Sequence, residues 1–237
     1  MRRLLVCLFV AAAVAGCARS DRDSSDQTAT AGALDRAPGE PASGTASAAA
    51  RPRVVFLGDS LTAGYGLAKE QSVPALIQKR LDAEGYNYEV VNHGVSGDTS
   101  AGGVSRLEWA LSGDVRVMVL ELGANDGLRG VPVESMKANL ETIIEGAQTR
   151  GVRVLLTGME APPNHGPIYT AEFRKVFRDL ADEYDVAFLP FYLEGVAGNP
   201  ALNIQDGIHP NADGSAIVER SVWRSLRPLL DTAAGTR

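Results

Sequence analysis

The stretch VVFLGDSLTAGYG, residues 54–66, links the predicted fold to the chemistry. Its apolar run ends in a Gly-Asp-Ser turn, and two more glycines follow within six residues of Ser60. An apolar run that stops at a glycine turn is typical of a buried strand that leads into a helix. The motif departs from the G-x-S-x-G nucleophile elbow, since Thr62 occupies the place of the second glycine. Ser60 is therefore either a helix cap or a nucleophile, and the rest of the chain must decide.

Four further apolar runs follow along the chain, rich in valine and leucine and nearly unbroken, as strands buried on both faces are. Amphipathic segments with helical spacing lie between them. This alternation through five units predicts an α/β fold with a parallel sheet and helices on both faces. The predicted strands are Arg53–Leu57, Tyr88–Val91, Val115–Leu122, Val152–Thr157 and Val186–Leu189.

Five amphipathic segments are predicted to be helices. Pro132 stands where a proline is tolerated at a helix N-terminus, and Thr170 is predicted to cap the helix that follows it. The helices are expected to begin near Ser72, after Asp98, near Pro132, at Thr170 and near Asp213, and the last runs to Leu230.

Glycine-rich and polar stretches follow every predicted strand. Because the carboxyl ends of parallel strands lie at one edge of the sheet, and ligands bind at that edge, these stretches are expected to converge on one site. They are residues 58–60, 92–100, 123–130 and 158–170 and, after a longer loop, residues 206–211.

Asp206 and His209 form a D-x-x-H turn ahead of the last predicted helix. Such a turn can hold a carboxylate against one imidazole nitrogen and leave the other facing a substrate, and a serine hydroxyl needs a base of this kind to become a nucleophile. The structural alternative is a helix-start turn in which Asp206 binds backbone amides and His209 is exposed. The other two histidines, His93 and His165, have no carboxylate at short spacing.

Several groups could donate hydrogen bonds to the oxyanion of a tetrahedral intermediate. A serine at the start of a helix offers its own N–H at the positive end of the helix dipole. Gly97 can bring its N–H close because it has no side chain, with Gly94 of the same loop as second choice, and Asn125 offers a side-chain amide. A turn explains each residue alone equally well, but together with the D-x-x-H turn they occupy four strand ends, which favours a catalytic site.

As a set, the motifs GDSLTAGYG, SGDTS, GANDGLRG, LPF and DGIHPN resemble the SGNH (GDSL) hydrolase superfamily. The resemblance is closest to its bacterial envelope subgroup of multifunctional thioesterase, lysophospholipase and arylesterase enzymes. It covers the domain from about Val54 to Leu230, in order and with similar spacing. It implies a three-layer α/β/α sandwich whose five-stranded parallel sheet has the flavodoxin-like order 2-1-3-4-5.

The resemblance also assigns the catalytic roles. It implies that Ser60 is the nucleophile, His209 the base and Asp206 the residue that orients the base. It implies an oxyanion hole formed by the Ser60 amide, Gly97 and Asn125. The activity so implied is that of a serine esterase acting on aryl and acyl esters, and also on acyl thioesters and lysophospholipids. Asp59, beside the nucleophile, is expected to be structural and to hold the backbone amides of its loop.

The stretch after the fourth strand concentrates apolar side chains at an edge where loops are normally polar. We expect it to close over the acyl chain of a substrate. The expected substrate-binding residues are Met159, Pro162, Ile168 and Tyr169 of this stretch, with Phe191 and Tyr192 beside the fifth strand.

The N-terminal residues 1–17 have the pattern of a bacterial secretory signal, with two arginines before an apolar stretch too short to span a membrane. The end of this segment, VAGC, resembles a lipobox, so Cys17 is expected to be lipidated. Residues 18–52 are poor in large apolar side chains and are expected to be a disordered tether. The hydrolase domain is expected to span residues 53–237, and the resemblance to lipoprotein sorting rules implies an anchor in the outer membrane with the domain facing the periplasm; a soluble periplasmic or secreted enzyme is the alternative.

The chain has 237 residues and a formal net charge of −6, and nothing in its composition requires the basic face that a nucleic-acid binder usually has. A monomer without cofactor or metal is expected. A metal-dependent phosphoesterase is a weaker hypothesis, because it would need more histidines than the three present. Two further hypotheses are a carbohydrate O-acetyl esterase and a lipoprotein that binds lipid or polysaccharide without catalysis.

Overall fold

The computed structural model describes residues 51–234, with side chains through residue 230. Within this range five parallel strands form one sheet in the order β2-β1-β3-β4-β5, which confirms the expected fold class and strand order. The predicted signal peptide, Cys17 and residues 18–50 of the predicted tether lie outside the described residues. The strands are β1 (Arg53–Gly58), β2 (Glu89–Gly94), β3 (Val115–Glu121), β4 (Arg153–Thr157) and β5 (Ala187–Leu189).

The centre of the sheet is the core of the domain. Residues 54–57 of β1 and 117–120 of β3 are almost entirely buried, as the unbroken apolar runs predict. The expectation of burial on both faces is wrong for β2, whose residues are mostly half-buried. The reason is its position, because β2 is the outermost strand on its side of the sheet.

Helices cover both faces of the sheet. Helices α2 and α8 contact each other on one face, and α3, α6 and α7 contact one another in turn on the other, so the three-layer sandwich is confirmed. Each buries an apolar stripe; in α8 the stripe contains Val218, Val222 and Leu226. The described helices are α1 (Ser60–Ala63), α2 (Val73–Ala83), α3 (Ser100–Ser105), α4 (Leu107–Ala110), α5 (Ala124–Arg129), α6 (Val133–Gln148), α7 (Pro167–Glu183) and α8 (Ala212–Ala234). None of them is long and apolar enough to cross a membrane.

Two helix predictions are corrected. The helix expected after Asp98 is divided into α3 and α4 at Arg106, whose side chain bonds to the ends of β1 and β2. Thr170 does not cap α7. The helix begins three residues earlier, at Pro167, where the fixed φ of proline suits the first helical position, and the Thr170 hydroxyl donates back to the carbonyl of Gly166 instead.

The carboxyl edge of the sheet is packed too closely for side chains at two positions. A Cβ atom at Gly58 would lie 2.1 Å from Thr62 Oγ1, and one at Gly94 would lie 2.2 Å from the backbone nitrogen of Ala63. Helix α1 therefore rests directly on the ends of β1 and β2, which fixes the position of Ser60, its first residue.

Candidate active site

The turn from β1 into α1 uses nearly all of its backbone donors. Asp59 is the N-cap of α1, and its Oδ1 accepts the N–H of Leu61 at 3.0 Å. The Thr62 N–H donates to Glu121 Oε2 at 3.2 Å. In the described part of the chain the Ser60 N–H meets no acceptor. The expected structural role of Asp59 agrees with this geometry, and the Ser60 amide is left without an acceptor among the described residues.

Ser60, His209 and Asp206 form a continuous hydrogen-bonded chain. Ser60 Oγ lies 2.8 Å from His209 Nε2, and His209 Nδ1 lies 2.6 Å from Asp206 Oδ2. Because an ionised carboxylate can only accept, Nδ1 carries the ring proton and Nε2 is left to accept from the serine hydroxyl. The arrangement is that of a nucleophile, its general base and the group that orients the base.

Asp206 also holds the turn that carries the base. Its Oδ1 accepts the backbone N–H groups of Ile208 at 2.9 Å and His209 at 3.0 Å. The hydrogen bond from the His209 amide is the main cause that lowers the pKa of Asp206 to about 2. The two sequence interpretations of this turn are therefore compatible, because one oxygen binds amides while the other binds the imidazole.

Asn125 and Gly97 face the nucleophile from two neighbouring loops. Asn125 Nδ2 donates to Asp59 Oδ2 at 3.0 Å, which fixes the side-chain amide and leaves its second N–H unused. Gly97 has a positive φ of 82°, and its carbonyl accepts from Arg129 Nη2 at 2.7 Å. Its own N–H has no acceptor within the described residues. Gly94, the second choice for this loop, is ruled out because its N–H donates to Asn92 Oδ1 at 2.8 Å.

These groups open into one cleft of about 220 Å³. Its apolar lining comes from side chains that are about half exposed, namely Tyr65, Leu128 and Ile208. The Tyr65 ring stands 4.7 Å from the imidazole of His209, centroid to centroid. The full lining is Ser60, Leu61, Tyr65, Ser96, Gly97, Asn125, Leu128, Ile208 and His209. An ester carbonyl placed at Ser60 would thus have polar donors on one side and apolar surface around it.

Comparison with known proteins decides the family. Residues 56–217 match the model of the GDSL-like lipase/acylhydrolase family. The chain belongs to this family. Its relatives include an esterase, TesA, of Pseudomonas aeruginosa, 44% identical over 77% of this chain and 91% of that protein. Thioesterase 1/protease 1/lysophospholipase L1 of Escherichia coli is 36% identical over 79% of this chain and 89% of its own length.

A solved structure agrees with this assignment. The crystal structure of the psychrotrophic esterase EstA from Pseudoalteromonas sp., inhibited by monoethylphosphonate, superposes with a TM-score of 0.72 and 32% identity. The alignment covers 76% of this chain and 98% of that structure. This GDSL-like acylhydrolase is accordingly a serine ester hydrolase.

Three polar residues of the acylhydrolase that the motifs did not single out hold the site loops together. Asp126, the neighbour of Asn125, is buried and accepts both the N–H and the hydroxyl of Ser100, at 2.8 and 2.6 Å. It thereby ties the Asn125 loop to the start of α3, next to the Gly97 loop. Arg106 donates to the carbonyl of Gly58 at 2.8 Å. The third is Glu121. The only sign of its role in the sequence is that a carboxyl group stands inside an apolar run.

The expected substrate-binding residues of the acylhydrolase are largely elsewhere. Met159 and Tyr192 are buried, and Ile168 is exposed. Tyr169 Oη donates to the carbonyl of Val131 at 2.8 Å, so the loop after β4 is fastened to the junction of α5 and α6. Of the residues expected to bind substrate, which were Met159, Pro162, Ile168, Tyr169, Phe191 and Tyr192, none lines the cleft, and Tyr192 alone reaches a narrow space of about 10 Å³ beside Ser60 and His209.

The two remaining histidines of the acylhydrolase take no part in the triad. His93 is buried against Trp109, with ring centroids 4.0 Å apart, and its Nδ1 has no partner among the described residues. Burial, followed by the charge of Arg106, lowers its pKa. His165 Nε2 lies 3.4 Å from the carbonyl of Leu128. In residues 51–230 no group of His, Cys, Asp and Glu side chains is clustered closely enough to hold a metal ion.

Proposed function

We propose that this acylhydrolase cleaves carboxylic esters through an acyl-enzyme on Ser60. Ser60 Oγ attacks the ester carbonyl while its proton passes to His209 Nε2. The oxyanion accepts hydrogen bonds from the N–H groups of Ser60 and Gly97 and from the free N–H of Asn125. His209 then protonates the leaving group, and water, activated by the same nitrogen, releases the acid. Asp206 stays ionised throughout and stabilises the imidazolium.

The main support for the proposal is that the hydrogen-bonded chain from Asp206 through His209 reaches Ser60, whose own backbone N–H has no acceptor among the described residues. Ser60 Oγ is 2.8 Å from His209 Nε2, and the Ser60 N–H has no acceptor in the described part of the chain although the amides of the next two residues are bonded. A serine that only capped a helix would need neither the imidazole contact nor an open amide. The same atoms meet both requirements of acyl transfer.

The cleft lining supports a substrate with an apolar acyl or aryl group. Tyr65, Leu128 and Ile208 offer exposed apolar surface beside the nucleophile. The named activities of the relatives extend the proposal to aryl esters, acyl thioesters and lysophospholipids. Each methylene group that the cleft covers would contribute about 0.8 kcal/mol at most, or up to about fourfold in kcat/KM.

A kinetic panel of aryl, thio and phospholipid esters of increasing acyl length tests the proposal. The value of kcat/KM should rise with chain length until the cleft is full. Leu128→Ser and Ile208→Ser should flatten that rise and leave acetyl esters almost unaffected. Ile168→Ser is the matched control, because Ile168 is more exposed than either and does not line the cleft.

The same panel, together with a fluorophosphonate probe and a chelator, distinguishes the competing functions. Turnover confined to acetylated sugars would indicate a carbohydrate O-acetyl esterase. No turnover, together with no labelling of Ser60 by a fluorophosphonate probe, would indicate a binding lipoprotein. Loss of activity with a chelator would indicate metal-dependent chemistry. Equal flattening by Ile168→Ser would show that the loop after β4 does contribute to the acyl site.

The cellular placement is part of this proposal and rests on sequence alone. Residues 1–17 serve as a lipoprotein signal, Cys17 carries the lipid, and residues 18–52 tether a monomeric hydrolase to the periplasmic side of the outer membrane. The pattern VAGC at the end of a short apolar segment supports this assignment.

A further inference from the structure

A buried carboxyl group lies directly beneath the nucleophile turn. Glu121, the last residue of β3, is fully buried. Its Oε2 accepts the N–H of Asp59 at 3.3 Å, the N–H of Thr62 at 3.2 Å and the hydroxyl of Thr62 at 2.7 Å. Gly58 permits this approach, since a Cβ atom there would lie 2.6 Å from Oε2. One oxygen from a neighbouring strand therefore binds the turn on both sides of Ser60.

We propose that Glu121 is a positioning residue that, as a neutral carboxylic acid, fixes the Ser60 turn so that the Ser60 N–H remains the open donor for the oxyanion. This inference rests on the proposed function. It extends that function to a group that touches neither the substrate nor the reacting atoms.

The hydrogen bonds decide which of two buried carboxyl groups is charged. Asp59 has a donor on each oxygen, from the Leu61 N–H and from Asn125 Nδ2. Glu121 has donors on Oε2 only, and its Oε1 is buried without a partner in the described residues. Two adjacent buried carboxylates repel each other, so the negative charge resides on the one with both oxygens bonded. Asp59 is therefore the anion and Glu121 holds the proton.

The pKa directions agree with this assignment. Burial, and then the charge of Asp59, raise the pKa of Glu121 well above its usual value. Burial raises the pKa of Asp59 to about 6, which still leaves it ionised in a neutral medium. A third titratable group beside the two carboxyls is Tyr192, which is also buried and whose hydroxyl interacts with Thr62. Burial, followed by the Glu121 carboxyl, raises the pKa of Tyr192.

A neutral Glu121 has the same hydrogen-bonding pattern as glutamine. Each presents an acceptor oxygen to the turn and a donor group on the opposite side, which is one O–H in the acid and an NH2 group in the amide. Leucine would instead leave the donors of Asp59 and Thr62 buried without an acceptor. The freed turn could then rotate, and a displacement of about 1 Å of a catalytic group can cost on the order of 10²-fold in rate.

The test compares Glu121→Gln and Glu121→Leu with Thr157→Val. Thr157 is a fully buried polar residue at the end of β4 that donates to the carbonyl of Leu120 and has no hydrogen bond to the Ser60 turn. We expect Glu121→Gln to keep kcat within about threefold, and Glu121→Leu to lose about 10²-fold in kcat with KM nearly unchanged. Thr157→Val should lower the melting temperature without changing kcat.

If kcat in Glu121→Gln were as low as in Glu121→Leu, the proposal that Glu121 acts as a neutral acid would be wrong. A normal kcat in Glu121→Leu would show that Glu121 does not position the turn. Ser60→Ala is measured in the same assay. An active Ser60→Ala variant would refute the proposed function itself, whereas an inactive one shows that the Glu121 variants test only the role of Glu121.

Infrared spectroscopy tests the protonation state without relying on activity or on a folded leucine variant. At a pH well above the pKa of Asp59, the difference spectrum of the wild type minus Glu121→Gln should contain the C=O stretching band of a protonated carboxylic acid. Carboxylate bands in its place would overturn the proposal.

Discussion

Removal of the Asn125 side-chain amide should slow the chemical step without weakening substrate binding. Asn125 Nδ2 is held by Asp59 Oδ2 at 3.0 Å, so the remaining N–H is oriented before the substrate arrives and little reorganisation accompanies the reaction. Loss of one such donor costs about 10²–10³-fold in kcat, or about 3–4 kcal/mol. Asn125→Ala should therefore lower kcat by that factor and leave KM nearly unchanged, because the oxyanion uses the donor more strongly than the ground-state carbonyl does.

The assay is steady-state hydrolysis of an aryl ester, with folding checked by thermal unfolding. Leu128→Ala is the matched control, since Leu128 lines the same cleft but offers no donor. It should raise KM for longer acyl chains and leave kcat for acetyl esters close to wild type. A raised KM with an unchanged kcat in Asn125→Ala would instead show that Asn125 binds the substrate rather than the transition state.

Ser60→Ala and His209→Ala should each lower kcat by about 10³-fold or more, and the double variant should lose little beyond either, because the two act as a unit; multiplicative losses in the ester assay would contradict this. Asp206→Asn should lower kcat by about 10²-fold or more at unchanged KM, since an amide cannot stabilise the imidazolium; near-normal turnover would exclude that role. Asp59 has a folded-state pKa of about 6 against an ordinary 3.8, so the native state binds its proton more tightly than the unfolded chain does. The unfolding free energy of the wild type, measured with denaturant, should therefore fall relative to Asp59→Asn as the pH rises through this window, by about 3 kcal/mol at most, and parallel curves would argue against it. Cys17→Ser should move the protein out of the membrane fraction with unchanged activity per molecule; a mature N-terminus beyond residue 17 without lipid would refute the anchor.

The sequence predicted the parts of the site that depend on local spacing. Ser60 follows a buried strand, and the D-x-x-H turn brings Asp206 to His209 within three residues, so both could be proposed from the chain alone. Parallel strands then explain why these distant stretches meet at one edge. The strand order, in contrast, came from the resemblance to a family, since apolar periodicity does not reveal which strands are neighbours.

The features that the sequence did not reveal depend on long-range contacts. The loop after β4 is apolar, but the hydrogen bond from Tyr169 Oη to the Val131 carbonyl fastens it away from the cleft. The break between α3 and α4 occurs at Arg106, whose side chain donates hydrogen bonds to backbone carbonyls at the ends of β1 and β2. Glu121 stands in an apolar run, and its partners, Asp59 and Thr62, lie about sixty residues earlier in the chain. Each of these roles depends on a partner distant in sequence.

The proposed mechanism depends on a covalent acyl-enzyme at Ser60. Rapid quenching of the enzyme during turnover of an aryl ester, followed by mass analysis of its peptides, measures directly where the acyl group resides. We expect an early burst of the aryl alcohol and an acyl group on the peptide that contains Ser60, and neither in Ser60→Ala. An acyl group on a different residue, or full turnover by an enzyme that never carries one, would contradict this mechanism.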